Sequence, residues 1–500
     1  MSTIRRQSII SSGIIYFGFA LGFLNLLLLV KNLTPSQYGL TNIFIALANI
    51  MFSFANLGLQ NFIFKFFPYY NDNLPPKEND QMTWAFLVSF TGFLTVIAGG
   101  ILFKGLVIRK FAAQSPELVN YYYWIFPFGF GLTMYSLLEV FAWQVKKSVL
   151  TNYLREVQWR VFIILLIALS WLGVLKNFDV FIKLYSATYL ALALILLINL
   201  LVTGKLHFTF RPSRVTKRFF KKIVTQASLV WGGTVLLTVS TFFAKLVIAA
   251  VVPGGLASVG VYALAENIAS VVQAPQRGII AAAVGPLSQA WKDKDHGRIN
   301  RIYQRSSINQ LIFSVGLFIL IWINFTDGVM TFHMKPLYLQ AQHVFFFIGL
   351  MRIVDMGTGL NAHIIATSSL WRFDFFTGLI LAVITLPLNY WLTKELGVSG
   401  PAIADLISFS IFNGIRWLFL YRKFGMQPFT IHTVYTLLLG LAGYLVCHSL
   451  FAQYQGFGWI FLRSFVFIAI YAAGVLGLRL SEDVLPVWRT LLKKLGLGGR

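Results

Sequence analysis

Amide and hydroxyl side chains recur at helical spacing inside long uncharged stretches of this chain. Asn42, Asn49 and Asn56 fall on one helical face, and Ser53 and Gln60 share it at about 100° per residue. Such a row either hydrogen-bonds the hydroxyls of a sugar or glues one helix to another. Thr234, Thr238, Thr241 and Lys245 form a second row, and Glu266, Ser270, Gln273 and Arg277 a third. These two rows read as a facing polar pair that lines a cavity; the alternative is a structural bridge between Lys245 and Glu266. Arg352 and Asp355, spaced i to i+3, make either a local ion pair or a pair that couples substrate to protons, with Gly359 and His363 further along the same side. Asp405 and Arg416 share another face, and Arg416 is placed to snorkel to the cytoplasmic surface. Lys65, one turn after Asn61, is an interface anchor or a positive mouth for an anionic headgroup. Ser11, Gly18, Gly22 and Asn25 suit close helix contact, and Glu139 and Arg463 are single charges without aligned partners.

The surroundings give these residues their meaning. Gln7 through Val30 carry no charge, and stretches of that kind recur along the chain, with 57% hydrophobic residues and a mean hydropathy of +0.72. A bilayer core of roughly 30 Å needs about 20 apolar residues per helix, so the pattern predicts an all-α polytopic membrane protein of about 14 crossings. The expected spans are 8–30, 41–64, 83–103, 121–143, 157–175, 184–203, 224–251, 259–285, 307–325, 341–366, 375–392, 401–421, 431–450 and 459–478. Inside a bilayer a polar face must meet protein or a water-filled cavity, so the rows above locate an interior. Pro275 is expected to bend the eighth helix.

The 41 Lys and Arg against 17 Asp and Glu would suggest a nucleic-acid surface in a soluble protein, but here they sit between helices, which excludes that partner. With the N-terminus inside, about 27 fall in cytoplasmic segments, about 8 in external ones and about 6 within helices, a strong positive-inside bias. Both termini are then cytoplasmic. The first apolar run lacks a small-x-small cleavage site before Lys31 and is expected to stay as a helix. The single cysteine, Cys447, permits no intramolecular disulfide.

The longest polar interruption, Gly204 to Ile223, follows the sixth crossing and divides the first twelve into two sets of six. The expected domains are an N-terminal lobe at 1–215, a C-terminal lobe at 216–428, two further helices at 429–480 and a basic cytoplasmic tail at 481–500, amphipathic on the inner leaflet. Leu33 to Leu40 and Val252 to Val261 are similar turns in which Pro/Gly precedes a helix-opening Gly, so the lobes read as repeats about an axis along the membrane normal. Asp293-Lys294-Asp295 has a metal-binding look but lies in a short basic loop, and no P-loop or H-E-x-x-H is present. No cofactor is expected beyond a coupling ion, H+ or Na+. A membrane polysaccharide polymerase would need a long external catalytic loop, and the spans leave no room for one.

Lys31-Asn32-Leu33-Thr34-Pro35-Ser36-Gln37-Tyr38-Gly39-Leu40 resembles the basic-x-Leu-x-Pro-x-x-Tyr-Gly signature after the first helix of bacterial polysaccharide flippases, the O-antigen and exopolysaccharide branch of the superfamily that also holds multidrug exporters and lipid II flippases. Gly58-Leu59, Lys65, Pro68 and the layout of six, six and two crossings extend the resemblance over nearly the whole chain. It implies a two-lobed transporter, not an enzyme, in the bacterial inner membrane. Its substrate would be an undecaprenyl-diphosphate-linked oligosaccharide, moved outward for lipopolysaccharide or other polysaccharide biosynthesis alongside glycosyltransferases and a glycan polymerase. Lys245, Arg277, Arg352 and Lys65 would hold the diphosphate, and Asn42, Asn49, Asn56, Gln60 and Gln273 the sugars. Related lipid II flippases carry basic residues on the first, second and eighth helices; here the eighth matches through Arg277, the second only through Lys65, and the first has no charge. The alternative is a cation-coupled multidrug exporter, with Glu266, Asp355 or Asp405 as proton or sodium sites.

Overall fold

The structure, a computed structural model, describes residues 3–175 and 177–483. The amphipathic tail expected from Val484 onward, with Trp488, Arg489, Lys493 and Lys494, lies outside the described residues. Every regular element among the described residues is helical. Among the described residues twelve stretches are long and apolar enough to cross a membrane, and two of them, Phe178–Val202 and Arg372–Phe424, each run through two α-helices. The chain is a multi-pass membrane protein, and each expected crossing has a helix over it.

Two compact units divide the chain at Gly260 and Val261. The first contains α1 (Thr3–Asn32), α2 (Pro35–Ala55), α3 (Leu59–Asn73), α4 (Gln81–Leu102), the short α5 (Lys104–Phe111) and α6 (Pro116–Asn120), and α7 (Ile125–Gln144). It continues with α8 (Ser148–Tyr153), a π-helical turn at Leu154–Gln158, α9 (Trp159–Trp171), α10 (Phe178–Ser186), α11 (Thr188–Val202) and α12 (Arg214–Val251). The seventh crossing, α12, thus packs with the first six. α13 (Gly255–Val272) begins in the first unit and ends in the second. The second unit goes on with α14 (Ala274–Lys292), α15 (His296–Thr331), α16 (Ala341–Gly357), α17 (Asn361–Ala366), α18 (Trp371–Leu396), α19 (Gly400–Phe424), α20 (Ile431–Phe451) and α21 (Phe457–Gly477).

Local chemistry explains why the first unit closes as it does. Thr34 caps α2, its hydroxyl accepting from the Gln37 N–H at 3.2 Å while the Gln37 side chain accepts from the Thr34 N–H at 2.9 Å, and Pro35 opens the first turn. Gly39 then lies against backbone: a Cβ there would stand 1.8 Å from the Leu256 carbonyl, and one on Gly260 would stand 2.4 Å from the Pro35 carbonyl. The two similar turns seen in the sequence therefore pack on each other. Small residues drive such contacts because lipid tails leave no hydrophobic force between helices. Near the start of α12, the Asp80 carboxylate accepts from Trp84 Nε1 at 3.0 Å, the Ser213 N–H at 2.9 Å and the Thr216 hydroxyl at 2.7 Å, tying α4 to α12. Phe62, Tyr70, Tyr135, Leu138 and Leu196 form the core between α3, α7 and α11.

In the second unit Arg463 of α21 is not a solitary charge. It is buried, donates to the carbonyls of Ile323 at 2.7 Å and Tyr454 at 2.8 Å, and faces the Asp327 carboxylate at 3.5 Å. Asp327 also accepts from the Gly456 N–H at 2.9 Å, so one ion pair holds α15, α21 and the turn before it together. At the other end of α15, Arg305 pairs with Asp483, which also accepts from Asn309 at 2.7 Å. The Arg305 hydrogen bond holds the Asp483 carboxyl below its usual range.

Candidate functional site

The second, eighth and tenth crossings are interrupted, and polar residues gather at the interruptions. The second crossing stops at Asn56, where Leu57 and Gly58 take positive φ of 45° and 76°, and resumes as α3. Gly58 is required because a Cβ would meet the Ala227 carbonyl of α12 at 2.3 Å. The eighth crossing breaks at Gln273, just before Pro275, the bend expected from the sequence. The tenth breaks after Gly357, where Gly359 has φ 67° and the Ser307 hydroxyl donates to the freed Gly357 carbonyl at 2.5 Å. The second and eighth crossings occupy corresponding positions in the two sets of six. Interrupted helices in corresponding positions are the strongest sequence-level pointer to a transport site, since broken backbone at membrane depth must be buried in protein or line a cavity.

The row on the second crossing is consequently not continuous. Asn42 donates to the Tyr38 carbonyl at 3.0 Å and Asn49 to the Ile45 carbonyl at 2.8 Å, so both amide N–H groups turn back on α2. Asn56 ends α2 with its Oδ1 buried and unpartnered, and Gln60, beyond the break, donates to the Ser136 carbonyl at 3.4 Å. Lys65 is exposed on α3, its Nζ 5.9 Å from the Phe66 ring. Lys245 is buried on α12, its Nζ 5.9 Å from the Phe242 ring.

The second unit assembles a connected network. Gln273 donates to Gln276 at 2.7 Å, Gln276 donates to Asp355 at 3.3 Å, Asn413 donates to the other Asp355 oxygen at 3.2 Å, and Asn361 donates to Asn413 at 2.8 Å. Asp355 is held by amides and forms no bond to Arg352, so the i to i+3 ion pair is not made. The Arg352 Nε is buried without a hydrogen-bond partner. Asp405 accepts from Asn389 at 3.2 Å and from the Tyr262 hydroxyl at 3.5 Å, with Glu266 and Arg352 within electrostatic reach. Glu266 is half-buried on α13, and Arg277 is exposed on α14 one turn past the break. Arg416 does not snorkel: it is buried, pairs with Asp374, donates to the Thr377 hydroxyl at 3.0 Å and lies 3.8 Å from the Phe412 ring centroid. The reason is the acid on the adjacent α18, which sequence spacing along α19 cannot display. Asp295 of the metal-like triplet caps α15, accepting from the Arg298 N–H at 2.8 Å.

Sequence reasoning missed Gln276, which falls between Gln273 and Arg277 but off their row, and Asn361, Asn389 and Asn413, which fall on none of the polar rows read from the sequence. It also missed Arg155 and Glu156, which precede the expected fifth crossing at 157–175, and Arg160, which lies just inside its start. Arg155 Nη1 lies 3.3 Å from Glu139 Oε2, so Glu139 does have a partner, and Arg160 pairs with Glu156 at 2.7 Å. The Glu156/Arg160 spacing of i to i+4 was the signal available. Gly18 and Gly22 of α1 receive these side chains as the close contact expected: added Cβ atoms would stand 2.8 Å from Glu156 Cβ and 3.0 Å from Arg160 Nε. Asn25 donates to the Arg160 carbonyl at 3.2 Å.

No family model and no curated protein matches the chain. Among solved structures, it is similar to the lipid II flippase MurJ in an inward closed conformation, with TM-score 0.71 and 14% identity over 95% of this chain and 100% of that one. It is also similar to an inward-facing multidrug resistance MATE family transporter of the MOP superfamily, with TM-score 0.62 and 14% identity over 83% of this chain and 98% of that one. The chain has the MurJ/MATE-like fold.

Proposed function

We propose that this protein is a flippase that carries an undecaprenyl-diphosphate-linked oligosaccharide from the cytoplasmic to the external leaflet of a bacterial inner membrane, for cell-surface polysaccharide biosynthesis. The observation that supports this reading is the fold shared, over 95% of this chain, with a protein named a lipid II flippase. The signature at Lys31 to Leu40 directs the reading to the polysaccharide branch. In this reading both termini are cytoplasmic, the lipid tail stays in the bilayer, and Lys245, Arg277, Arg352 and Lys65 meet the diphosphate by charge-assisted hydrogen bonds. Asn42, Asn49, Asn56, Gln60 and Gln273 face the sugars. Asp355 and Asp405 hydrogen-bond to neutral partners, which suits carboxylates that exchange a proton or sodium ion during alternating access, with Glu266 beside them.

A second reading, a cation-coupled drug exporter, is favoured by the likeness to the MATE transporter and by those same carboxylates. One experiment separates the two. In cells lacking this protein, surface glycan falls and the lipid-linked intermediate accumulates on the cytoplasmic leaflet; Arg277→Ala and Lys245→Ala proteins reach the membrane but fail to restore export. Unchanged glycan with new sensitivity to cationic drugs overturns the flippase reading in favour of the exporter. Full restoration by both variants removes these two residues from the site.

A further inference from the structure

The charged cluster on α7, the π-helical turn and the start of α9, packed against Gly18, Gly22 and Asn25 of α1, carries more polar chemistry than packing requires. We infer that Arg155 is an exchange residue, which releases Glu139 and binds a phosphate oxygen of a phosphate- or diphosphate-bearing lipid in its place.

The two partners are unequal. The Glu139 side chain is 5% exposed and that of Arg155 is 56% exposed, so a ligand reaches the guanidinium but not the carboxylate. Their contact is a single one of 3.3 Å, although a guanidinium offers five N–H donors and binds best through two parallel bonds. Arg160 is not equivalent: it is committed to Glu156 and seated in the Gly18/Gly22 notch. Arg155 is therefore the cation in the cluster with donors to spare.

The acceptor side also lacks partners. Glu139 Oε1 and Asn25 Oδ1 are buried without a hydrogen-bond partner, on side chains that are nine-tenths or more buried, and Nε1 of the half-buried Trp159 also has none. Buried polar atoms are normally satisfied, so the orphaned Glu139 Oε1 marks a carboxylate that the single contact with Arg155 leaves incompletely held. Arg155 lies within the π-helical turn Leu154–Gln158, a device that re-aims side chains and is frequent at functional sites. Tyr135, Tyr189, Glu156 and Arg160 are the other ionisable groups that face the pair. Among the described residues the cluster carries two Arg and two Glu and is neutral, so a carboxylate must yield for an anion to bind; Glu139, held by one long contact, is the one placed to yield. Two non-bridging oxygens of a phosphate can meet the planar fork together, a better match than the single Glu139 oxygen.

For its ligand this inference rests on the proposed transport of a lipid-linked diphosphate. The same chemistry is presented by an ordinary anionic phospholipid headgroup, and the test separates the sources. The purified full-length protein is placed in nanodiscs, and binding is measured for undecaprenyl diphosphate and, separately, for phosphatidylglycerol. Arg155→Gln should weaken binding by on the order of tenfold, the loss of one charge-assisted hydrogen-bonding group. Glu139→Gln should do the opposite and strengthen it several-fold, because the competitor for Arg155 is gone; a merely structural pair would weaken in both variants. The double variant, which leaves no unpaired buried charge, keeps the fold and must bind as weakly as Arg155→Gln. Arg155-dependent preference for undecaprenyl diphosphate assigns the site to the carried lipid, and equal Arg155-dependent binding of both assigns it to membrane phospholipid; both uphold the exchange. Binding of phosphatidylglycerol through Arg155 with none of undecaprenyl diphosphate upholds the exchange and overturns the flippase reading. Equal binding by wild type, Arg155→Gln and Glu139→Gln overturns the exchange.

Discussion

A charge at the centre of a membrane-crossing helix costs roughly 2.5–3.5 kcal/mol on insertion scales, so each one here calls for a resting place. Arg416 finds Asp374, Arg463 finds Asp327, and Glu139 finds Arg155, in every case on a neighbouring helix. Arg277 differs in being exposed. The buried Arg416 and Arg463 hold the fold through their acids, whereas the exposed guanidinium groups of Arg277 and Arg155 are available to a ligand. Arg463→Ala leaves Asp327 buried without its cation and should destabilise the protein by about 3–5 kcal/mol, seen as a lower melting temperature in detergent. Arg277→Ala should leave that temperature unchanged. Equal melting of the Arg463 variant and wild type would mean that Asp327 is satisfied by the Gly456 N–H and the Thr331 hydroxyl alone.

Among elements, the junction that opens α2 and the turn that opens α13 meet through glycines. The added methyl of Gly39→Ala would stand 1.8 Å from the Leu256 carbonyl, closer than any rotamer change can relieve, because both partners are backbone. Overpacking of this kind costs typically 1–3 kcal/mol and should appear as loss of folded protein in thermal gel filtration. Gly13→Ala, with nothing within 4 Å of its added carbon, is the control. The sequence displays both turns as a repeat, and Pro275 as a bend, because capping and proline signals are local. It does not display the break at Leu57 and Gly58: the crossing of α12, which fixes the need for Gly58, is remote in sequence. For the same reason the row from Asn42 to Gln60 reads as one line in sequence and is two segments in the structure.

For the whole molecule, the charge distribution predicts sidedness. In a Cys447→Ser background, Lys205→Cys should be labelled by a membrane-impermeant thiol reagent only after the membrane is opened, and Lys335→Cys in intact cells. The reverse pattern would invert the proposed orientation and place the basic run from Lys205 to Lys222 outside.

By itself the sequence determined the all-helical membrane class, the helix that accompanies each crossing, and the polar positions within them. Hydropathy, capping residues and proline act over a few neighbours, and a bilayer imposes one element type on any apolar run long enough to span it. Only the tertiary structure decided which charges pair, that Asp355 joins Gln276 and Asn413 instead of Arg352, and that Arg155 and Arg160 lie against α1 and α7. An ion pair or hydrogen bond depends on separations of a few ångströms between side chains of different helices, and those separations exist only once the helices have packed.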